Sequence, residues 1–396
     1  MTLKTINQAN VTNKRVLVRL DINAAVVKGK ILDNPRFSEQ AKTIKELLEK
    51  NAKIIIIAHQ GRPNSADFIT LAQHAVLLSK HVGKEISYVS DLFEEQAKKR
   101  IASLNSGQAI LLKNLRAFED EFHPEKEDNK LIGLFKACDL YINDAFSASH
   151  RLHASIVLPP RYLPSYIGRS FERELQALEH FPQSKKTTFI IGGSKIEDYL
   201  PLFTTLKNKE HTLLAAGVLG NLGLIAKGYD LGYENQWAAE QNYIQYIPQL
   251  KQFLQDYPKQ IILPLDFAIG DVKRKEISLQ KVPFEQKIWD IGKKTVALFK
   301  QHLDTSENIF MKGPVGFSER KQFSYGTVEL LKHIAQVTEK KKVFSLLGGG
   351  HLTTTIQNYN LPTTFSYISL AGGALLQYFT GEPLPGIVAL QESPHN

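Results

Sequence analysis

Short, unbroken runs of β-branched and aliphatic residues recur along this chain, each followed by a stretch of helical periodicity. This alternation constrains the fold more than any other feature. The runs lie at 15–20, 53–58, 109–113, 140–143, 188–191, 212–215, 260–265, 309–311 and 343–347. They are continuous rather than alternating, the pattern of parallel strands covered on both faces. Between them, Phe37, Ala41, Ile44, Leu47 and Leu48 fall on one helical face, and Val296, Phe299 and Leu303 repeat the pattern in the second half. Strand–helix–strand repetition on this scale predicts an α/β fold with two Rossmann-like, doubly wound parallel-sheet domains.

At 396 residues the chain exceeds what one ordinary core holds, and it divides near its middle. Residues 158–166 carry Pro159, Pro160 and Pro164, which are expected to break any helix there. The stretch 170–181 then reads as a helix with Phe171, Leu175 and Leu178 inward, ended by Pro182. A helix isolated between a proline-rich loop and the next strand suits a connector. The expected organisation is a first domain over 1–166, a connecting helix over 167–181, a second domain over 182–375 and a tail over 376–396.

Open α/β sheets bind ligands beyond the carboxyl ends of their strands, so the polar residues after each strand carry the functional information. In the first half these are Asp21 and Asn23, then His59 and Arg62, then Asn114 and Arg116, then Asp144, His150 and Arg151. Arg36 stands at the start of the first long helix. One arginine after a strand is an ordinary surface residue, but Arg36, Arg62, Arg116 and Arg151 with two histidines at one sheet edge form a cluster. Guanidinium forks match phosphate and carboxylate bidentately, which points to a small acid bearing both groups.

The second half is built differently. Gly192-Gly193-Ser194-Lys195 and Gly348-Gly349-Gly350 each follow a strand and precede a helical segment. Backbone N–H groups can meet phosphates there, although such turns also arise for steric reasons alone. No Gly-x-Gly-x-x-Gly follows an early strand, and Gly292-Lys293-Lys294-Thr295 resembles only the tail of a P-loop, with Lys287 where its first glycine belongs. Net charge is +9, which leaves basic groups for an anionic ligand but shows no dense stripe of the nucleic-acid-binding kind. His150 and His153 lack the further ligands a zinc site needs. Cys138 is the single cysteine and cannot pair internally, and the N-terminal residues contain neither an apolar signal core nor a cleavage site. No apolar run approaches the ~20 residues of a membrane span. A cytoplasmic monomer with no membrane or nucleic-acid partner is expected.

The order of motifs resembles one family over essentially the whole chain, the phosphoglycerate kinases. The motifs are VLVRLDIN at 16–23, HQGRP at 59–63, LLKNLR at 111–116 and NDAFSASHRLHAS at 143–155. They continue with GGSK at 192–195, KGPVG at 312–316, LLGGG at 346–350 and LPGIVAL at 384–390. The resemblance implies reversible transfer of the acyl phosphate of 1,3-bisphosphoglycerate to ADP, giving 3-phosphoglycerate and ATP with Mg2+. By position it implies that Asp21, Asn23, Arg36, His59, Arg62, Arg116 and Arg151 hold the triose acid. It also implies that Lys195 meets the phosphates, that Gly348, Gly349, Gly350 and His351 border the nucleotide, and that Glu319 meets the ribose. Arg36 and Lys195 would then be the catalytic pair, and the tail would pack back on the first domain.

The second half departs from the family pattern. His351 and Leu352 stand where an aspartate and a hydroxyl residue are usual, Lys312 replaces the asparagine before Gly-Pro, and Tyr199 replaces a second lysine. Ala215 and Ala216 replace glycines, Leu370-Ala371 a Thr-Gly pair, and in the first half Ser147 and Ala148 stand for Gly and Thr. The usual carboxylate for the metal is missing, so no metal ligand is assigned. Any magnesium is expected on the nucleotide phosphates and water, with Lys312 and a protonated His351 restoring positive charge. The alternative left open is a catalytically impaired relative that binds substrate or regulates.

Overall fold

The computed structural model describes residues 3–181 and 185–395, so Pro182 lies outside the described residues. The chain forms two compact units, Met1–Leu178 with Glu382–Asn396, and Glu179–Gly381.

The strands of the first unit are β1 (Arg15–Arg19), β2 (Val26–Val27), β3 (Lys30–Ile31), β4 (Lys53–Ile57), β5 (Ile86–Tyr88), β6 (Ala109–Leu111), β7 (Leu140–Asn143) and β8 (Ser165–Ile167). Six form one parallel sheet in the order β5-β6-β4-β1-β7-β8, and β2 pairs antiparallel with β3. The continuous apolar runs have the expected cause. Val16, Val18, Ile54 and Ile56 pack in one core, while Leu17, Ile55 and Ile57 face another on the opposite side. The helix Pro35–Glu49 buries Phe37, Ala41, Ile44, Leu47 and Leu48. It starts where it does because Pro35 occupies its first turn and the Asn34 side chain accepts from the Arg36 N–H at 2.9 Å. From β1 the chain builds toward β4, and after β6 it crosses to β7, so the direction of winding reverses between β1 and β7. Ligands collect at such reversals.

The second unit contains β9 (Thr187–Ile191), β10 (Thr212–Ala215), β11 (Ile261–Ile262), β12 (Asp266–Ile269), β13 (Lys275–Ser278), β14 (Ile288–Ile291), β15 (Asn308–Lys312), β16 (Phe344–Gly348) and β17 (Tyr367–Ser369). Its parallel sheet runs β11-β10-β9-β15-β16-β17, reversing between β9 and β15. The mixed α/β architecture with two six-stranded parallel sheets is that anticipated from the alternation of runs.

Several local expectations are corrected. Pro159 and Pro160 do not break a helix; they occupy the first turn of a short one, Pro159–Tyr162, where a missing N–H costs nothing. The run 260–265 shortens to β11, because Pro264 cannot donate to a ladder. The chain then enters a separate antiparallel sheet, β13-β12-β14, hidden from a search for parallel strands. The helix Arg169–Glu179 buries Phe171, Ala177 and Leu178 but leaves Leu175 half-buried, with Glu174 inward instead. The tail helix Pro385–Gln391 belongs to the first unit, where the Gly386 N–H donates to Ser149 at 2.9 Å.

Asp144, after β7, fastens the helix Arg169–Glu179 by accepting from the Phe171 N–H at 2.9 Å. Burial raises its carboxyl from 3.8 to about 7, opposed by these hydrogen bonds. The folded chain therefore holds this proton more tightly than the unfolded one, and stability falls as pH rises from about 4 to about 7. Asp144→Asn is expected to remove that loss. Its melting temperature relative to the parent should rise between about pH 4 and pH 8 in calorimetry; a constant difference would assign the raised value no role.

Candidate functional site

In the first unit the loops after β1, β4, β6 and β7 meet at the sheet's carboxyl edge, stitched together by buried amides. Gln40 accepts from the Asp21 N–H at 3.1 Å and donates to the Asp144 carbonyl at 2.9 Å, joining the loops on either side of the reversal. Asn114 accepts from the Gln60 N–H at 3.2 Å and donates to the Gln60 carbonyl at 2.9 Å. The Gly61 N–H donates to the Asn23 side chain at 2.9 Å, and the Gly61 carbonyl accepts from Arg116. Buried polar groups tied this way leave the loops little freedom.

On this frame Asp21 is buried, forms an ion pair with Arg36 and accepts from the Ser147 hydroxyl. Burial lowers the Arg36 guanidinium to about 10, opposed by Glu174, so it remains cationic at neutral pH. Arg116 is likewise lowered to about 10, by burial and by Arg151 and Arg19, with a smaller push from Arg62. Its Nε has no hydrogen-bond partner among the described residues. His59 is held well below 6.5 by burial and by Arg19, Arg116 and Arg151, so it is a neutral imidazole. Arg62 is exposed and Arg151 half-buried. Six of the seven residues proposed from the sequence for the acid therefore lie on these converging loops, and Arg36, near the start of the helix Pro35–Glu49, reaches them through Asp21. Crowded cations lowering each other, with a buried N–H unmet, form a site prepared for a multiply charged anion.

The sequence reading missed the layer beneath. Arg19 ends β1 fully buried; its Nη2 lies 3.0 Å from His59 Nδ1, and its Nε donates to the Ser155 hydroxyl at 3.0 Å. That hydroxyl donates to the fully buried Glu121 at 2.7 Å. The available signal was an arginine inside an apolar strand.

In the second unit the glycine turns prove to be of two kinds. The Gly192 N–H donates to the Lys312 carbonyl at 2.9 Å and the Gly193 N–H to Pro314 at 2.8 Å. These N–H groups are occupied, and the glycines serve close packing: a Cβ on Gly192 would lie 2.6 Å from the Pro314 carbonyl carbon. At the other turn Gly348 ends β16 and the Gly349 N–H donates to Ser369 at 3.3 Å. The N–H groups of Gly350 and His351, which open the helix Gly350–Asn358, have no hydrogen-bond partner among the described residues. Four N–H groups at a helix start lack intrahelical partners, which makes this end receptive to an anion. The Gly292-Lys293-Lys294-Thr295 turn has no such capacity, because Asp266 already accepts from the Lys294 and Thr295 N–H groups at 3.0 and 2.8 Å.

Lys195 is exposed at the end of the β9 loop. Glu319 is exposed, with His351 Nδ1 3.0 Å from its carboxylate. Its loop is anchored on the same helix by a 2.9 Å contact between the Ser318 and Thr355 hydroxyls. The Phe317 ring, 40% exposed, packs 5.3 Å from Trp289, an aromatic face the sequence reading did not single out.

The family model for phosphoglycerate kinase matches residues 6–382. A phosphoglycerate kinase from Methanopyrus kandleri is 35% identical over 403 residues, covering 99% of this chain and 98% of that protein. The one from Pyrococcus horikoshii is 34% identical over 400 residues, covering 97% and 96%. A crystal structure of the phosphoglycerate kinase from Pyrococcus horikoshii superposes with a TM-score of 0.91 at 33% identity, covering 99% of each chain. That of the Coxiella burnetii enzyme gives 0.77 at 28% identity, again covering 99% of each. None of these findings supports the alternative of a binding or regulatory protein. With a matched fold, matched motifs and this extent of identity, the chain belongs to the phosphoglycerate kinase family and is a phosphotransferase.

Proposed function

We propose that the first unit binds 3-phosphoglycerate and the second ADP or ATP, and that a phosphoryl group passes reversibly between 1,3-bisphosphoglycerate and ADP. The observation that carries this reading is the prepared cation cluster, in which neutral His59 lies among arginines and Arg36 is paired with Asp21. Arg62, Arg116 and Arg151 suit the acid's phosphate, and Asp21 and Asn23 its hydroxyl and backbone-facing side. In the transfer, the bond between phosphorus and the C1 carboxylate oxygen breaks and the carboxylate leaves with the electron pair. A new bond forms from a β-phosphate oxygen of ADP. Such a reaction needs alignment and neutralisation more than covalent help. Arg36 and Lys195 would supply that charge.

On the nucleotide side, the open N–H groups of Gly350 and His351 support an anion there, and the Phe317 ring supports a stacked base. Glu319 would accept from the ribose hydroxyls, oriented by His351. The family's magnesium finds no protein cage among the described residues, where no three His, Cys, Asp or Glu side chains cluster. Magnesium, which keeps several waters and is held largely by substrate phosphates, would enter with the nucleotide. A cytoplasmic monomer fits the single buried thiol, Cys138, which burial raises to about 12 and so leaves unreactive.

Purified protein supplied with 3-phosphoglycerate, ATP and magnesium, coupled to consumption of the acyl phosphate, is expected to turn over at about 1–100 per second. Binding of both ligands without turnover would return the reading to an impaired relative.

A further inference from the structure

Lys312 is the last residue of β15, at the reversal between β9 and β15, and it is only 6% exposed. Its stem passes two glycines at ordinary contact range: Cβ atoms built on Gly348 and Gly372 would lie 3.9 Å from its Cγ and 4.0 Å from its Cε. The ammonium ends 4.9 Å from the centre of the Tyr199 ring and 3.9 Å from the Asp198 carboxylate, beyond hydrogen-bonding range. It makes no hydrogen bond among the described residues. An ammonium on so buried a stem, without a hydrogen-bond partner among the described residues, gains from an anion that completes its surroundings.

From this geometry we infer that Lys312 is a nucleotide-contacting residue whose ammonium, steered by the Tyr199 ring, receives the terminal phosphates of a nucleoside di- or triphosphate. The inference rests on the kinase reading above. Three observations make a phosphate the partner that fits. Lys195 is close enough to disfavour a second positive charge, which the Asp198 carboxylate at 3.9 Å offsets without a hydrogen bond. Gly349 and Gly350, which follow the strand residue paired with Lys312, leave room for a ligand near the backbone, since a Cβ at either would meet nothing within 4 Å. The ring holds the ammonium by its face, which fixes a cation's position without using its donors. Burial lowers the ammonium to about 8, opposed by Asp198, and an arriving phosphate would raise it again. Tyr199 and Lys312 thus act as one device: the ring stands where the family pattern has a lysine, and the cation comes from the neighbouring strand.

The test is equilibrium binding of ADP by calorimetry to the full chain, with and without magnesium, alongside steady-state kinetics. Lys312→Met keeps the stem and removes the charge. It is expected to melt at or above the parent's temperature while ADP affinity falls about 10- to 100-fold, the usual worth of a hydrogen bond to a charged group. Affinity for 3-phosphoglycerate should stay within about twofold. The double variant Tyr199→Lys with Lys312→Asn, which moves the cation back across, is expected to recover most of the lost ADP affinity. Unchanged ADP affinity in Lys312→Met, with the parent binding normally, overturns the role of Lys312 and leaves the kinase reading standing. A parent that binds no ADP overturns both.

Discussion

Arg36→Ala is expected to lower turnover about 100- to 1000-fold, the usual cost of losing a preorganised donor aimed at developing charge. Binding of 3-phosphoglycerate should weaken much less. The asymmetry follows from where Arg36 sits. Its backbone is fixed by the Asn34 cap, its guanidinium is paired with Asp21, and Asp21 is itself held by Gln40 through its N–H. Arg62, Arg116 and Arg151 remain to hold a phosphate, so ground-state binding keeps most of its charge. Arg36→Lys restores the charge without the planar fork and should recover only part of the rate. Measuring kcat together with calorimetric affinity for 3-phosphoglycerate separates the two effects. A loss confined to affinity would move Arg36 from transfer to binding, and no loss in either quantity would remove it from the site.

How far the site could be read beforehand depended on whether each residue's task is local. Runs such as 54–57 declare themselves because every residue is buried on one face or the other, and helix starts such as Asn34-Pro35 are written in the chain itself. Six of the seven acid-side residues could be gathered because each lies in the loop after a strand, where sheet topology dictates the destination, and Arg36 joined them as the arginine at the start of the first long helix. Gln40 and Gln60 could not, since an amide that bridges loops 104 residues apart, as Gln40 does to Asp144, has no short-range signature. The two glycine turns looked alike for a similar reason. Only the third dimension shows that Pro314 and Lys312 carbonyls occupy one set of N–H groups while Gly350 and His351 keep theirs. The Lys312–Tyr199 pair illustrates the same limit: two departures from a family pattern, read singly, look like losses, and their contact makes them one exchange.

Arg19 offers the sharpest separation between binding ligand and holding the site together. Its guanidinium and the Glu121 carboxylate are both fully buried and meet through the Ser155 hydroxyl. Burial lowers Arg19 and raises Glu121, and each partner opposes the shift of the other. Removing one member of such a pair leaves an uncompensated buried charge, so Arg19→Met is expected to destabilise the first unit by about 3–5 kcal/mol. The pH dependence has a definite sign. Without Arg19 the folded-state value of Glu121 rises further above its unfolded value, so the variant takes up a proton on folding and gains stability as pH falls through that window. His59 pushes the same way. Its folded value is depressed partly by Arg19, so the parent loses stability as pH falls below about 6.5, and relief of that depression lessens the loss in the variant. The deficit relative to the parent should therefore be largest near pH 8 and shrink toward pH 5 in urea unfolding followed in the first unit. Adding Glu121→Gln should recover much of it at about pH 8, because a neutral amide still accepts from Ser155 without needing a cation. A deficit below about 1 kcal/mol, or one equal at both pH values, would show that water or a neighbouring group already compensates Glu121 and that Arg19 is dispensable to the frame.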